Sequence, residues 1–350
     1  MCNSRHPESY YVLGQTWGTI LTDTPEPVLP LSLLASNRDQ FNALFYEPVS
    51  VALQTKTNLH VHVLRVQNGN FDLPGLYREL KNNSVAYVLS RLNYKKALED
   101  PGRIMEVAAK VQAQFRIPDE LAGEGGEVIL YSLLEGHLGA PKVLSKMELK
   151  TNSDHYVYGS DGVHLLRADE STYHLIFGES KMYGDSGGVG NSAKRGIKAA
   201  FKSVGKVHEE GFDFDTWLVQ SELLKEELDD EKLAALSAIL LPSTGGGDDG
   251  IKKHNAFGIF VGYEVDVSDM KVEDMELAEI EEELRKRATD AITAQHDLIK
   301  QEVTDRCLGV YPIHLYAIPF AKRGTGDKAH GITQIRMELA AQLGNHGASK

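Results

Sequence analysis

Apolar and polar positions change period several times along the chain, and each change marks an element. Short alternating runs at Val49–Leu53 and His60–Val66 read as strands. A run at Leu73–Leu80 and a helical stretch near Arg103–Phe115 follow. The glycine-rich break Ala122-Gly123-Glu124-Gly125-Gly126 then precedes a 3.6-residue pattern from Glu127 to about Leu138, stopped by Gly139 and Pro141. The runs Gly162–Ala168 and Tyr173–Lys181 flank the turn-prone Asp169-Glu170-Ser171 and read as a hairpin. A glycine-rich loop, Gly184–Asn191, leads into a helix from about Ser192 to Glu210. Strand Phe257–Val265, one long helix from about Val272 to Arg306, and strand Ile313–Pro319 complete the pattern. The order helix, hairpin, helix, strand, helix, strand predicts an α/β fold, a mixed sheet flanked by helices. The 350 residues suit a division into an N-terminal α+β domain at 1–115, an α/β domain at 116–325 and a C-terminal tail at 326–350.

Charge and composition narrow the function classes. The net charge of −13, from 50 acids against 37 bases, repels a polyanion unless the basic residues are clustered. Cys2 and Cys307 are too few for a disulfide scaffold or a four-cysteine zinc site and suit a reducing compartment. The opening MCNSRHPESYY has no apolar core of a secretory signal, and apolar runs such as Ile313–Phe320 fall far short of a membrane span. A cytoplasmic protein with no membrane partner is expected. The stretch Glu264–Glu283 holds ten acids and one base, Lys271, and reads as a solvated helix face or as a partner-facing surface. Ser243–Gly250 reads as a flexible loop.

Candidate chemistry concentrates on the hairpin and its neighbours. Side chains alternate across a strand, so Glu179 and Lys181 extend the apolar row of Tyr173, Leu175 and Phe177. Burying charge requires pairing or a metal. The pair is either an ion pair where the strand meets water or part of a site. In a hairpin Asp161, itself good turn chemistry, sits across from both. Glu127 falls in the middle of the helical stripe Leu130, Tyr131, Leu134 and Leu138, either complementing the helix dipole or serving a site. Glu135, at the edge of that stripe, is the reserve helical acid. Two or three carboxylates beside one lysine suit Mg2+, with Mn2+ as a substitute, and phosphodiester chemistry. Lys194, Arg195, Lys198, Lys202 and Lys206 form a basic helix ridge suited to a phosphate backbone, or a solvated amphipathic face. His60 and His62 share a strand face, as a metal pair or as packed histidines.

Glu127, Asp161 and Glu179-Ser180-Lys181, in that order, resemble the PD-(D/E)xK nuclease superfamily. The wider string resembles the HamA effectors of Hachiman anti-phage defence: Gly126-Glu127, Ser145-Lys146, Gly159-Ser160-Asp161-Gly162-Val163-His164, and Gly178-Glu179-Ser180-Lys181 with Tyr183, within roughly residues 120–320. The superfamily's proline position is here Gly159-Ser160. The resemblance implies a restriction-endonuclease-like core and a metal-dependent DNase working with a superfamily 2 helicase, HamB. It implies Asp161, Glu179 and Glu127 as metal ligands, Lys181 as the catalytic lysine, and DNA as substrate. The acidic stretch and the N-terminal zone are then candidate helicase surfaces. Rival readings are a serine protease at Gly184-Asp185-Ser186-Gly187-Gly188, which lacks an upstream histidine motif, a phosphate-cradling loop at Gly187–Gly190, and a non-catalytic assembly module in which Asp161, Glu179 and Lys181 form only ion pairs.

Overall fold

The computed structural model describes residues 31–119, 123–145, 147, 160–185, 190–210, 228–241, 251–324 and 329–345. Ser243–Gly250, Ser186, Lys146, Gly159 and the first 30 residues lie outside them. In chain order the elements are α1 (Arg38–Asn42), β1 (Val49–Gln54), β2 (Thr57–Val61), β3 (Val66–Gln67), β4 (Asn70–Phe71), α2 (Leu73–Val88), α3 (Arg91–Glu99), α4 (Ile104–Gln112) and α5 (Glu124–Gly136). They continue with β5 (Lys142–Ser145), β6 (Gly162–Arg167), β7 (Thr172–Tyr183), α6 (Ser192–Glu210), α7 (Asp230–Leu240), β8 (Lys252–Asp266), α8 (Leu277–Thr293), α9 (His296–Asp305), β9 (Ile313–Lys322) and α10 (Ile332–Gly344). The run at Leu73–Leu80 is the start of α2, because Asp72 caps it by accepting the Gly75 N–H at 2.9 Å and a proline stands in the first turn.

Among the described residues a seven-stranded mixed sheet runs in the order β1-β2-β9-β8-β7-β6-β5. β7, β8, β9 and β2 are parallel to one another, and β1, β6 and β5 are antiparallel to their neighbours. β8 lies inside the sheet with both faces covered, so Phe257 to Val265 reads as a continuous apolar run. β9 tolerates Pro319 because its last partner on the β2 side is Ala317, so one flank is open there.

The α/β class expected from the element order is therefore present, and four features differ in detail. β1 and β2, from the zone read as an N-terminal α+β domain, join this same sheet. Residues after 325 contribute α10, whose Ile332, Ile335, Leu339 and Leu343 are buried. The long helix expected at 272–306 breaks at Ala294-Gln295 into α8 and α9. The acidic stretch also divides. Glu273, Asp274, Glu276, Glu279 and Glu282 are exposed. Glu264 is buried, accepting the Asp185 N–H at 2.6 Å and the Ile332 N–H at 2.7 Å. No helix among the described residues is long and apolar enough to cross a membrane.

His60 and His62 belong to a packed histidine cluster. His137, after α5, stands 5.3 Å from His60 and 4.7 Å from His62, ring centre to ring centre, and Tyr316 and His314 of β9 complete the group. Burial, then the neighbouring imidazoles, pushes His60 down to about 4, His62 to about 3 and His314 to about 4, so these rings are neutral at pH 7. The unfolded chain takes up protons first as pH falls below 6.5, so this cluster loses stability toward acid. Replacing His62 with Phe keeps a ring against Phe45 and flattens the acid limb of stability between pH 6.5 and 4. Urea unfolding of H62F measured across that range checks it. An acid limb as steep as the parent's contradicts the assignment.

Candidate active site

Two glycines set how close α5 comes to the sheet. Gly178 of β7 and Gly258 of β8 are paired in register. A Cβ at Gly178 would stand 3.1 Å from the Leu130 side chain, and one at Gly258 only 2.9 Å from Leu134. With no Cβ at either position, the leucine ridge of α5 sits directly on the strands. The start of the helix then lies over the Ser180 and Met182 side chains at Gly126. Glu127, one residue on, is thereby fixed near the start of β6.

Alternation along β7 separates its side chains. Gly178, Ser180 and Met182 face α5, whereas Glu179 accepts a hydrogen bond from Ser203 of α6 on the other face. Lys181 follows Glu179 on that face and is ion-paired to its Oε1. Asp161 precedes β6 and donates its N–H to the Gly178 carbonyl at 2.8 Å. Its Oδ2 accepts from both the Ser180 N–H and the Ser180 Oγ at 2.8 Å. Because Gly162 pairs with Gly178, Asp161 stands in register opposite Glu179. Glu179 is only 5% exposed. Burial, then the Asp161 charge, pushes it up to about 7, against the opposing pull of Lys181 and Ser203.

The helical acids have different surroundings. Glu127 is buried, accepts the Tyr87 hydroxyl at 2.8 Å, and lines a narrow cleft with Asp161, Gly178 and Leu130. It lines this cleft from the α5 face, while Glu179 lies on the α6 face. Glu135 is fully buried elsewhere. Its carboxylate accepts the Leu34, Ala35 and Lys142 N–H groups at 2.6, 2.7 and 2.8 Å. This reserve acid ties the chain at 34–35 to β5. Tyr87 and Lys142 are new neighbours of the site. A tyrosine in a helical run and a lysine after Gly139-Ala140-Pro141 carry no sequence signal of their own.

The basic ridge lies where the acids are. Lys194, Lys198, Lys202 and Lys206 are exposed, while Ile197, Ala200, Phe201 and Val204 are buried. Ser203, the contact to Glu179, stands next to Lys202. Arg195 is half-buried and lies over the Tyr183 ring, 5.2 Å from its centre. Asp185 of the protease-like string accepts the Ser192 N–H at 2.8 Å and the Gly190 N–H at 2.7 Å, a loop-closing role at the start of α6.

The structure thus brings Asp161, Glu179 and Lys181 together, with Glu127 lining the cleft beside Asp161. Among the described residues, no three of His, Cys, Asp and Glu form a group able to hold a metal ion by themselves, the three-carboxylate set and the histidine cluster included. The acids that could contribute to a divalent-ion site are Asp161 and Glu179, which stand opposite each other in register. Mg2+ is usually held by one or two carboxylates and fills its shell with water and phosphate oxygens.

The HamA family model matches residues 39–324, from α1 through β9, which takes in every element of this site. No curated protein and no solved structure matches the chain.

The raised Glu179 fixes a sign. The folded, metal-free protein holds this proton between about pH 4.5 and 7 while the unfolded chain has released it, so stability falls as pH rises through that window. Each tenfold rise in proton affinity on folding corresponds to about 1.4 kcal/mol. Glu179→Gln removes this slope. A divalent ion held at Glu179 requires the ionised form, so the stabilising effect of Mg2+ on the parent is expected to grow from pH 5 to 8 and to be lost in E179Q. Thermal denaturation with and without Mg2+ checks both. A Mg2+ effect independent of pH, or retained in E179Q, contradicts the assignment.

Proposed function

The chain belongs to the HamA family, which makes it a component of Hachiman anti-phage defence, and from this premise we propose that it is a metal-dependent DNA endonuclease controlled by a partner helicase, HamB. The observation that carries the reading is the juxtaposition of Asp161, Glu179 and Lys181 with the exposed lysine ridge of α6. Carboxylates alone repel DNA. A row of lysines on the adjoining helix offsets that repulsion where the backbone must approach, although the whole chain carries −13.

Asp161 and Glu179 hold Mg2+, or Mn2+ in its place. When bound, the ion supplies positive charge and Lewis acidity to the scissile phosphate. The Lys181 ammonium, no longer paired to Glu179 once that carboxylate holds the ion, orients the attacking water and stabilises the negative charge that develops as water adds and a phosphodiester P–O bond breaks. Glu127 holds water on the α5 side of Asp161. Lys194, Lys198, Lys202 and Lys206 hold the DNA backbone, and Arg195 braces the start of the ridge against Tyr183. An unrestrained DNase is toxic to its host, so the helicase keeps the nuclease silent until foreign or damaged DNA engages it in the cytoplasm. The exposed acids of 273–282 and the edge hairpin β1–β2 are the surfaces assigned to that partner. A second reading, a non-catalytic assembly module, draws on the Lys181–Glu179 ion pair, which is sufficient to stabilise a strand end.

Plasmid cleavage by the helicase complex, with ATP, separates the readings. Cleavage is expected with Mg2+ and not with EDTA. Glu179→Ala and Lys181→Ala should each lower it by at least about a thousandfold, in line with loss of transition-state charge stabilisation, while folding and partner binding persist. Loss of folding in both variants, with no metal-dependent cleavage by the parent, supports the assembly module. Charge reversal of Lys198 and Lys202 should weaken DNA binding and flatten the log–log salt slope by about 0.9 for each phosphate no longer neutralised. An unchanged slope removes α6 from the DNA path.

A further inference from the structure

Residues that precede the motif reach into the site through the end of α2. Tyr87, in its last turn, is 2% exposed and packs against Tyr131 of α5 with ring centres 5.7 Å apart. Burial above all, then the charges of Glu127 and Asp161, raises its phenol far above the ordinary range. The geometry has the hydroxyl donating to Glu127 Oε2 at 2.8 Å.

The backbone that carries Tyr87 is fixed independently. Lys142 is 1% exposed, and its ammonium donates to the carbonyls of Ala86, Tyr87 and Leu89 at 2.9, 3.3 and 2.8 Å, closing the C-terminal end of α2. These are carbonyls that a helix end leaves without partners. Arg91 in turn donates from Nε to the Lys142 carbonyl at 3.1 Å, joining the start of α3 to β5. Four residues before Tyr87, Asn83 donates to Ser132 at 2.9 Å, a second polar contact between α2 and α5 that touches no acid of the site. Polar glue between the helices thus exists without Tyr87.

We propose that Tyr87 is a positioning residue for the nuclease site, holding one oxygen of Glu127 so that the carboxylate keeps a single orientation beside Asp161. The proposal rests on the reading of Glu127 as part of that site. A donor at Oε2 stops rotation of the carboxylate. It also draws negative charge away from a carboxylate that shares a narrow cleft with Asp161. No carboxylate-and-lysine motif contains Tyr87, and it comes from a segment more than 30 residues upstream of Glu127.

The test is a double-mutant cycle in the helicase complex with Tyr87→Phe, Glu127→Gln and the pair, with Asn83→Ala as the control for loosened helix packing. At limiting Mg2+, Y87F should cleave about tenfold more slowly, the size expected for losing a hydrogen bond to a charged group. Its half-saturating Mg2+ should rise, and the pair should be no slower than E127Q alone. N83A should lower the melting temperature and leave the Mg2+ midpoint in place. A readout apart from cleavage comes from 3-fluorotyrosine at position 87, whose 19F resonance should shift on adding Mg2+ to the parent and stay fixed in E127Q. Y87F indistinguishable from the parent at every Mg2+ concentration, or Y87F and N83A losing activity in step with stability, overturns the proposal. So does a 19F signal indifferent to Mg2+ in the parent, which remains readable if Y87F does not fold. Parental activity of Y87F beside a dead E179A refutes the positioning role alone, whereas an E179A as active as the parent refutes the nuclease reading itself.

Discussion

A carboxylate with little solvent, set opposite a second carboxylate, needs a cation or a proton. That is the condition of Glu179 across from Asp161, and much of this molecule can be read as a response to it. Lys181 supplies one cation and Ser203 a hydrogen bond, yet burial and the Asp161 charge still outweigh them and hold the group near pH 7. A structural ion pair does not need a second acid beside it. A divalent ion between the two would turn their repulsion into a shared attraction, which is why the proposed function places one there.

The surrounding fold keeps these groups from relaxing away. The paired glycines of β7 and β8 let α5 approach, and β6, starting only at Gly162, leaves the Ser180 N–H for the Asp161 carboxylate where a longer strand would have taken it. Lys142 and Arg91 hold the end of α2 to the edge of the sheet, so residues before 116 help to build a centre whose motif lies after it. The single sheet has the same consequence at its opposite edge, where β1 and β2 continue the ladder from β9.

Local features are the ones legible in the sequence. The hairpin, the amphipathic α6 with its lysine ridge and the apolar runs of β8 and β9 are periodic signals, and the alternation of β7 by itself puts Glu179 and Lys181 on one face. The pairing of Asp161 with that strand follows from the hairpin alone. Non-local facts are out of reach. Nothing in His60-Val61-His62 says that β2 lies parallel to β9, which is what assembles its rings with His314 and Tyr316. Glu135 reads as a spare ligand because helical phase shows direction but not what waits there, in this case three backbone N–H groups. Glu264 falls within an acidic run, although its partners, Asp185 and Ile332, come from distant segments and bury it. The residues after 325 read as a tail because α10 is stabilised by what it packs against.

If Asp161 and Glu179 share one divalent cation, a crystal soaked in Mn2+ will show it through the anomalous signal of the metal. A single strong peak is expected about 2 Å from an oxygen of each carboxylate, the usual metal–oxygen distance, with the Lys181 ammonium moved off Glu179 Oε1. Full Mn2+ exposure with no peak between the two acids, and the Lys181–Glu179 ion pair still closed, would contradict it.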